Sequence, residues 1–263
     1  MENINFKETM FEAIKLASRY LNDFQKDNLF VDYKLKNDLV TKADLTSDRI
    51  IKDTIKKCFP DSSFLSEEGD EIKSESTDRW IIDPIDGTVN YISNIPLYAI
   101  SIAYEKNKEL IAGIIAQPAL NRIFYSVKND FSYQNNIKCK VSNTTSLNDS
   151  IVSIITTNHF SNDLKDYVAK IFLHLSKRCR GVRVFVSASL ELSLVANGEL
   201  EAAILPNADL YGIKAGELIV KNAGGRLTNQ NNQPFTKPGD LVIASNSKIH
   251  DELLSLIKSI ENE

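Results

Sequence analysis

The stretch WIIDPIDGTVNY, from Trp80 to Tyr91, leads an apolar, β-favouring run into two aspartates and a Gly-Thr pair. Asp, Pro and Gly commonly form turns, so a surface turn is one interpretation. A lone carboxylate at the exit of a buried strand is costly, however, unless it is paired or bound to a metal. Pro84 is expected to stop the hydrogen-bond ladder of this strand, and Asp86 to return a second carboxylate to the side of Asp83.

Beyond the two aspartates, Gly87 and Thr88 are expected to open a helix. The free N–H groups at a helix N-terminus form a natural seat for phosphate. Carboxylate oxygens together with a backbone carbonyl suit a hard cation such as Mg²⁺, which commonly binds few protein ligands next to a substrate phosphate. From these residues alone, a plain turn and a metal site both stay open.

The 263-residue chain has a composition that is ordinary for a globular protein, with 43% apolar and 25% charged residues. Its formal net charge of −4 argues against nucleic acid or an anionic membrane as the main partner. Its cysteines are widely spaced and form no CxxC pair, which argues against a disulfide framework or a zinc site and fits a reducing cytoplasm. The N-terminus lacks the apolar segment of a signal peptide, and no apolar run approaches the roughly 20 residues that span a bilayer. We therefore expect a cytoplasmic protein without a membrane segment.

Helical periodicity is clearest near the N-terminus, where apolar residues recur on one helical face. These residues are Met10, Ile14, Ala17 and Leu21. A second helix is predicted from about Leu45 to Phe59, with Asp44 as its N-cap and Pro60 closing it. Its predicted inward face holds Ile51, Ile55 and Cys58.

Short β-rich runs with turn residues between them follow, so residues 1–145 are predicted to form helices on a mainly antiparallel sheet. These runs are 62–66, 79–83, 99–104, 111–115 and 123–127. Residues 146–263 instead alternate strands and helices, which is typical of an α/β half. The predicted order there is strand 151–156, helix 164–175, strand 182–186, helix 187–197, strand 200–205, helix 212–223, strand 241–245 and a C-terminal helix.

Three motifs in this order, DLVTKAD (38–44), SEEG (66–69) and WIIDPIDGTVNY (80–91), resemble the inositol monophosphatase family of metal-dependent phosphomonoesterases. The similarity continues through VSASLELSLVANGELEA, KAGELIVKNAGG and LVIASN, and so covers nearly the whole chain. The resemblance implies the family's layered αβαβα sandwich, a fold with α+β and α/β character, and a homodimer. It also implies Mg²⁺ as the cofactor.

The resemblance assigns roles to individual residues. Glu68, the second residue of the acidic pair, matches the metal-bridging glutamate, and Asp83 matches the aspartate shared by two metals. Ile85 matches the carbonyl ligand, and Asp86 matches the ligand of the second metal. Thr88 matches the threonine that, with the glutamate, orients and deprotonates the attacking water.

The substrate contacts follow from the same resemblance. Gly87 and Thr88 would offer N–H groups to the phosphate. Ser187 and Ala188 match the segment that meets the alcohol portion of the substrate. Asp44 lies near the third, weakest metal. In such a site metal ions lower the pKa of bound water and stabilise the leaving alkoxide, so little covalent protein chemistry is required.

The chain departs from the family pattern before the helix that ends in its Gly-Gly turn. The family has a Trp-Asp pair there, and an ungapped count gives Tyr211 and Gly212 instead. The nearest substitute for the missing carboxylate is Asp209, three residues earlier. Leu205 stands where inositol-preferring relatives often have a glutamate, and Val186 stands where the family usually has glycine.

These observations predict a Mg²⁺-dependent phosphatase that acts on a small phosphomonoester similar to inositol 1-phosphate. Sugar bisphosphates and phosphonucleosides are alternative substrates within this class. Because of Gly212, a second class stays open, in which a catalytically weakened family member acts as a binding or regulatory protein. None of the histidines falls in the motifs, so we predict that they are structural or lie at the surface.

Overall fold

The structure is a computed structural model that describes residues 5–27, 33–69 and 71–261. The helices in these ranges are α1 (Phe6–Asp27), α2 (Tyr33–Lys56), α3 (Thr88–Ile92), α4 (Asn162–Ser176), α5 (Ala188–Ala196), α6 (Leu210–Asn222) and α7 (His250–Glu261). The strands are β1 (Ser63–Ser66), β2 (Asp78–Asp86), β3 (Ala99–Lys106), β4 (Glu109–Gln117), β5 (Arg122–Val127), β6 (Ser132–Gln134), β7 (Ile137–Lys138), β8 (Ile151–Ile154), β9 (Gly181–Arg183), β10 (Ala202–Leu205), β11 (Arg226–Asn229) and β12 (Val242–Ser245).

The strands form two sheets. The first has the order β1-β2-β3-β4-β5-β6-β7, in which β1 and β2 are parallel and the other neighbours are antiparallel. The second has the order β11-β12-β10-β8-β9 and is mixed, since β10 runs parallel to β8 but antiparallel to β12. The mainly antiparallel first sheet agrees with the sequence prediction.

Helices and sheets alternate in five layers. One apolar cluster joins α1 and α2 to the first sheet, and a second joins both sheets to α5 and α6 between them. A third cluster joins the second sheet to α4 and α7 on its outer face. This order is the αβαβα sandwich that the resemblance implies. Residues from both predicted halves share the central cluster, and their division at residue 145 stays a prediction.

Strand alternation separates the layers on either side of the first sheet. Along β2, Ile81 belongs to the central cluster, whereas Trp80 and Ile82 pack with α1 and α2. Because consecutive side chains of a strand point to opposite faces, an odd or even position on β2 decides which layer a side chain enters. The pairing of β2 is regular up to Asp83, so the same rule places the Asp83 side chain on the face of Ile81.

The second helix differs from its prediction. It begins at Tyr33 rather than near Leu45, so Asp44 is a buried residue within the helix and not its N-cap. No glycine or proline lies between Tyr33 and Asp44 to stop a helix, which explains the longer element. The helix ends at Lys56, and Cys58, predicted to face inward, is exposed.

Two further predictions about the helices are confirmed. The four apolar residues of the N-terminal periodicity, Met10, Ile14, Ala17 and Leu21, are all buried. The helix expected after Gly87 is the short α3. Across 5–27, 33–69 and 71–261, the structure contains no helix that is both long and apolar enough to cross a membrane.

Candidate active site

A β-bulge explains how two aspartates three residues apart come to share one face of a strand. Asp83 pairs with Ser101 of β3, and Asp86 pairs with Ala99, so three steps along β2 oppose two steps along β3. The additional residue changes the alternation of β2 and returns Asp86 to the face of Asp83. The predicted common side is therefore confirmed. The ladder does not stop at Pro84, because pairing resumes at Asp86 after the bulge.

Asp83 is the most enclosed of these acidic residues, with 4% of its surface exposed. Burial raises its pKa well above the ordinary value, and the charges of Glu67, Asp86 and Asp209 raise it further. One carboxylate oxygen accepts the N–H of Ile85 at 3.2 Å, which fixes the side chain against the bulge. Asp83 is thus a buried carboxyl group surrounded by other acidic groups.

Glu67 lies beside Asp83 because the parallel pairing of β1 and β2 extends beyond β1. Ser66 is in register with Ile82, and the next N–H, that of Glu67, donates to the Ile82 carbonyl at 3.1 Å. Residue 67 therefore continues the register next to residue 83, and the Glu67 and Asp83 carboxyl groups hydrogen-bond to each other. Loss of solvation raises the pKa of Glu67, and the Asp83 hydrogen bond partly opposes this.

Glu68 lies next to charged residues of α2. Its pKa is raised by loss of solvation and by the charge of Asp48, and is lowered by Lys52. The Lys52 ammonium donates to Asp48 at 2.6 Å and to the Glu68 carbonyl at 3.2 Å. The prediction placed Glu68 at the metal ligands, whereas the structure brings Glu67 to Asp83. Strand alternation is the sequence signal that separates the two glutamates.

Asp86 is held by the N-terminus of α5. Its two carboxylate oxygens accept the N–H groups of Ala188 at 3.2 Å and of Ser189 at 2.5 Å. The Ser187 hydroxyl donates to the Asp86 carbonyl at 3.2 Å. Burial raises the pKa of Asp86 to about 6 although the Ser189 hydrogen bonds lower it. The structure therefore brings the predicted substrate residues Ser187 and Ala188 to Asp86.

Gly87 and Thr88 follow directly at the start of α3. Gly87 has a φ of +94°, a backbone conformation that favours glycine. A Cβ at this position would also lie only 3.1 Å from the Cβ of Ser187 and 3.2 Å from a backbone carbonyl oxygen, so there is little space for a side chain. The Thr88 hydroxyl donates to the Ile85 carbonyl at 2.9 Å. The hydroxyl and carbonyl that the resemblance assigns to one site are therefore in contact.

Asp209 enters the site from the start of α6. It is the N-cap of this helix, and its Oδ1 accepts the Gly212 N–H at 2.8 Å. Its charge raises the pKa of Glu67, Asp83 and Asp86. Asp209 and Glu67 are exposed to solvent, whereas Asp83 is buried. The acidic cluster of Glu67, Asp83, Asp86 and Asp209 is therefore open at its rim.

The α2 layer approaches the cluster from the opposite face of the sheet. Asp44 is buried there, and burial followed by the charges of Glu68 and Glu67 raises its pKa to about 8. The Ser47 hydroxyl donates to the Pro84 carbonyl at 3.2 Å and so ties α2 to the bulge. The structure places Asp44 near the site as predicted, but on a helix rather than in a cap.

Glu191 is a residue of this region that the sequence analysis missed. It is fully buried on α5, and burial raises its pKa to about 8. Its Oε2 accepts the Ser153 hydroxyl at 2.7 Å, and the backbone N–H groups of Phe185 and Val186 lower its pKa. Glu191 therefore lies next to the turn before Ser187, in which Val186 has a φ of +60°. A glutamate as the one charged residue of α5 is the signal that could have identified it.

The chemistry of the acidic cluster fits a divalent cation, although its side chains are not arranged around one point. Among the residues that the structure describes, no three His, Cys, Asp or Glu side chains are already set to hold a metal. Glu67 and Asp83 instead bond to each other, and Asp86 and Asp209 bond to helix N-termini. Mg²⁺ prefers oxygen ligands, and its positive charge would offset the repulsion between these carboxylates. The donor set therefore fits, and coordination requires side-chain rotation.

The chain is similar to known proteins over most of its length. The sequence profile of the inositol monophosphatase family matches residues 3–262. The fructose-1,6-bisphosphatase/inositol-1-monophosphatase of Thermotoga maritima is 33% identical over 226 residues, which cover 86% of this chain and 85% of that protein. The Nus factor SuhB of Pasteurella multocida is 29% identical over 239 residues, covering 89% and 88% of the two chains. The crystal structure of extragenic suppressor protein SuhB from Bartonella henselae superposes with a TM-score of 0.86 at 28% identity, covering 96% of this chain and 99% of that one.

Proposed function

Because the chain belongs to the inositol monophosphatase family, we propose that it is a Mg²⁺-dependent phosphatase of small phosphomonoesters. The observation that carries the proposal is the bulge in β2, which sets Asp83 and Asp86 on one face. Glu67 lies beside them through the register of β1. A strand that only ended in a surface turn would not need a buried carboxyl group, Asp83, next to other acidic groups that repel it.

The proposed cation ligands are the side chains of Glu67, Asp83 and Asp86 and the carbonyl of Ile85. Glu67 takes the role that the sequence analysis gave to Glu68, because the Glu67 carboxyl is the one that contacts Asp83. Bound Mg²⁺ supplies charge neutralisation at the phosphate and an acidified water.

The other proposed roles belong to the chain itself. Thr88 and Glu67 orient the attacking water, and the carboxylate of Glu67 accepts its proton. The N–H groups of Gly87 and Thr88 hold the phosphate at the start of α3. Ser187 and Ala188, fixed against Asp86, line the place of the substrate alcohol.

We propose a substrate similar to inositol 1-phosphate. A sugar bisphosphate is the second candidate, since one relative carries both fructose-1,6-bisphosphatase and inositol-1-monophosphatase in its name. Phosphonucleosides are a third. Inositol-preferring relatives often have a glutamate at the position of Leu205. Leu205 is buried and has no carboxylate that could bind sugar hydroxyl groups.

Phosphate release from a panel of these phosphomonoesters, measured with and without Mg²⁺, tests the function. We expect Mg²⁺-dependent turnover that Asp83→Asn reduces by at least about a thousandfold, since loss of about 4 kcal/mol of transition-state stabilisation has this effect. Asp166→Asn on the exposed face of α4 is the matched control and should retain full activity. Near-normal turnover of Asp83→Asn would refute the assignment.

No turnover with any substrate, from a folded wild-type protein, would instead favour the regulatory alternative. One relative is named a Nus factor, which gives that alternative a specific precedent. We also propose a homodimer in the cytoplasm, where the free thiols of Cys58, Cys139 and Cys179 are in keeping with reducing conditions. Sedimentation at micromolar concentration tests the dimer, and a strict monomer would contradict it.

A further inference from the structure

Two charged residues of α2 form a buried ion pair next to the end of β1. The Lys52 ammonium lies 2.6 Å from Oδ2 of Asp48, and only 11% and 10% of the two side chains are exposed. Burial of an ion pair costs solvation that an apolar pair of similar volume would not lose. This pair, which we call the α2 ion pair, therefore points to a geometric role rather than to a gain in stability.

The α2 ion pair holds the chain on both sides of Glu67. Before Glu67, the Ser66 hydroxyl donates to Oδ1 of Asp48 at 2.5 Å. After it, the Lys52 ammonium donates to the Glu68 carbonyl at 3.2 Å. Each member of the pair thus makes one bond to its partner and one bond to the segment that carries Glu67.

The sheet gives Glu67 less support than it gives the residues before it. β1 ends at Ser66, and the Glu67 N–H makes one further bond, to the Ile82 carbonyl at 3.1 Å. Gly69 follows with a φ of +86°, so the strand conformation does not continue past it. The α2 ion pair therefore anchors the chain where the support of the sheet ends.

We propose that Asp48 and Lys52 are positioning residues for Glu67, which keep its carboxyl group beside Asp83. The inference rests on the proposed function, in which Glu67 binds a cation and orients the attacking water. Because the α2 ion pair bonds to the neighbours of Glu67, the Glu67 carboxyl itself stays free to turn towards a cation. The other acidic groups of the cluster repel this carboxyl, and a fixed backbone helps to keep it in place.

The residue before Asp48 makes a similar contact with β2. The Ser47 hydroxyl donates to the Pro84 carbonyl at 3.2 Å, within the bulge. Consecutive residues of α2 thus hold the two segments that carry the proposed cation ligands. The helix therefore sets the distance between Glu67 and the bulge.

The test removes both charges at once, so that no buried charge is left without a partner. In Asp48→Asn/Lys52→Met, the asparagine oxygen can still accept the Ser66 hydroxyl, and methionine provides an unbranched chain in place of lysine. The matched control, Asp53→Asn/Lys57→Met, changes the same residue types at the same spacing where both are exposed. Thermal unfolding in chelator should show that both double variants are folded. Ser66→Ala is a second variant, which removes one anchor without changing any charge.

Amide hydrogen exchange of the metal-free protein measures the positioning directly. We expect the Glu67 amide to exchange at least about fivefold faster in Asp48→Asn/Lys52→Met, the effect of losing about one hydrogen bond. Ser66→Ala should change this amide in the same direction. The Ile81 amide, in the middle of β2, should exchange as in wild type in every variant.

Steady-state kinetics at saturating Mg²⁺ show whether the positioning matters for the reaction. We expect kcat of Asp48→Asn/Lys52→Met to fall by about 10–100-fold, the usual effect of losing a residue that supports a metal ligand. KM should stay within about threefold, because the N–H groups proposed to hold the phosphate, at Gly87 and Thr88, are unchanged. In a Glu67→Gln background the same double change should lower kcat by less than about threefold, since its effect passes through the lost carboxylate.

The outcomes separate this inference from the proposed function. If the folded double variant keeps the kcat of wild type, the α2 ion pair has only a structural role and the inference fails while the proposed function stands. An equal loss of kcat in the wild-type and Glu67→Gln backgrounds would also overturn it, because the pair would then act elsewhere. If the double variant does not fold, the same measurements on Ser66→Ala decide. If the wild type hydrolyses no phosphomonoester, the proposed function fails and this inference with it.

Discussion

Glu67 and Glu68 are neighbours in the chain but belong to different layers of the molecule. Glu67 continues the register of β1 and meets Asp83 on the face of α5 and α6. Glu68 lies on the α2 side, next to Asp48 and Lys52. The sequence motif identifies the acidic pair, and the continued register of β1 brings one member, Glu67, to Asp83.

Charge-neutral exchange of each glutamate should therefore have different effects. Glu67→Gln should lower kcat of Mg²⁺-dependent phosphate release by at least about a hundredfold, a loss of about 2.7 kcal/mol in the transition state. Glu68→Gln is the matched control, and we expect it to stay within about threefold of wild type, an energy difference below 1 kcal/mol. A larger loss in Glu68→Gln than in Glu67→Gln would restore the assignment made from sequence.

At the scale of elements, the site depends on how closely α6 approaches the first sheet. Gly113 on β4 permits this contact, since a Cβ there would lie 2.6 Å from the carbonyl oxygen and 2.8 Å from the Cα of Ala215. Gly216 likewise permits α5 to approach α6, because a Cβ there would lie 2.7 Å from that of Leu192. Both contacts hold the middle of α6, the helix that Asp209 caps.

Adding one methyl group tests this packing. Gly113→Ala should lower the free energy of unfolding by about 1–3 kcal/mol, the usual cost of overpacking, because the neighbouring backbone of α6 must move. Gly181→Ala is the control, since the added Cβ would meet the flexible guanidinium of Arg183. Urea unfolding of both variants measures the difference, and equal stability would show that α6 can shift freely.

Element boundaries show what the sequence can and cannot predict. The apolar strands and helices of the central layers were predictable because their periodicity is strong. The start of α2 was not, because Asp44 has the chemistry of an N-cap and only tertiary burial shows that it lies within the helix. The short β6, β7 and β11 were missed, since polar segments of two to four residues carry little periodicity.

For the whole molecule, His250 connects the second sheet to the C-terminal helix. Its ring nitrogens hydrogen-bond to Ser245 at 2.8 Å and Thr228 at 2.9 Å, and the residue is fully buried. Burial lowers its pKa to about 4, helped by the charge of Arg226 and opposed by Asp251. This agrees with the prediction that the histidines are structural or at the surface.

The pKa of His250 predicts a dependence of stability on pH. Between pH 6.5 and about 4 the unfolded chain binds a proton at this residue and the folded chain does not. The stabilisation is therefore complete above pH 6.5 and is lost as the pH falls towards 4, at up to about 1.4 kcal/mol per pH unit. Urea unfolding at pH 7 and pH 5 should show a steeper decline for wild type than for His250→Gln. The exposed His159→Gln should follow wild type, and equal slopes for all three proteins would contradict this account.

The bulge in β2 also limits how the length of the chain can vary. Asp86 shares the face of Asp83 only because one additional residue interrupts the alternation. Loss or gain of a single residue between them would move Asp86 to the α1 and α2 layer. A change of two residues would preserve the face and alter only the spacing. At this point a change in length by two residues therefore keeps Asp86 on its face, whereas a change by one does not. In this strand an insertion or deletion of one residue is thus a more severe change than most substitutions.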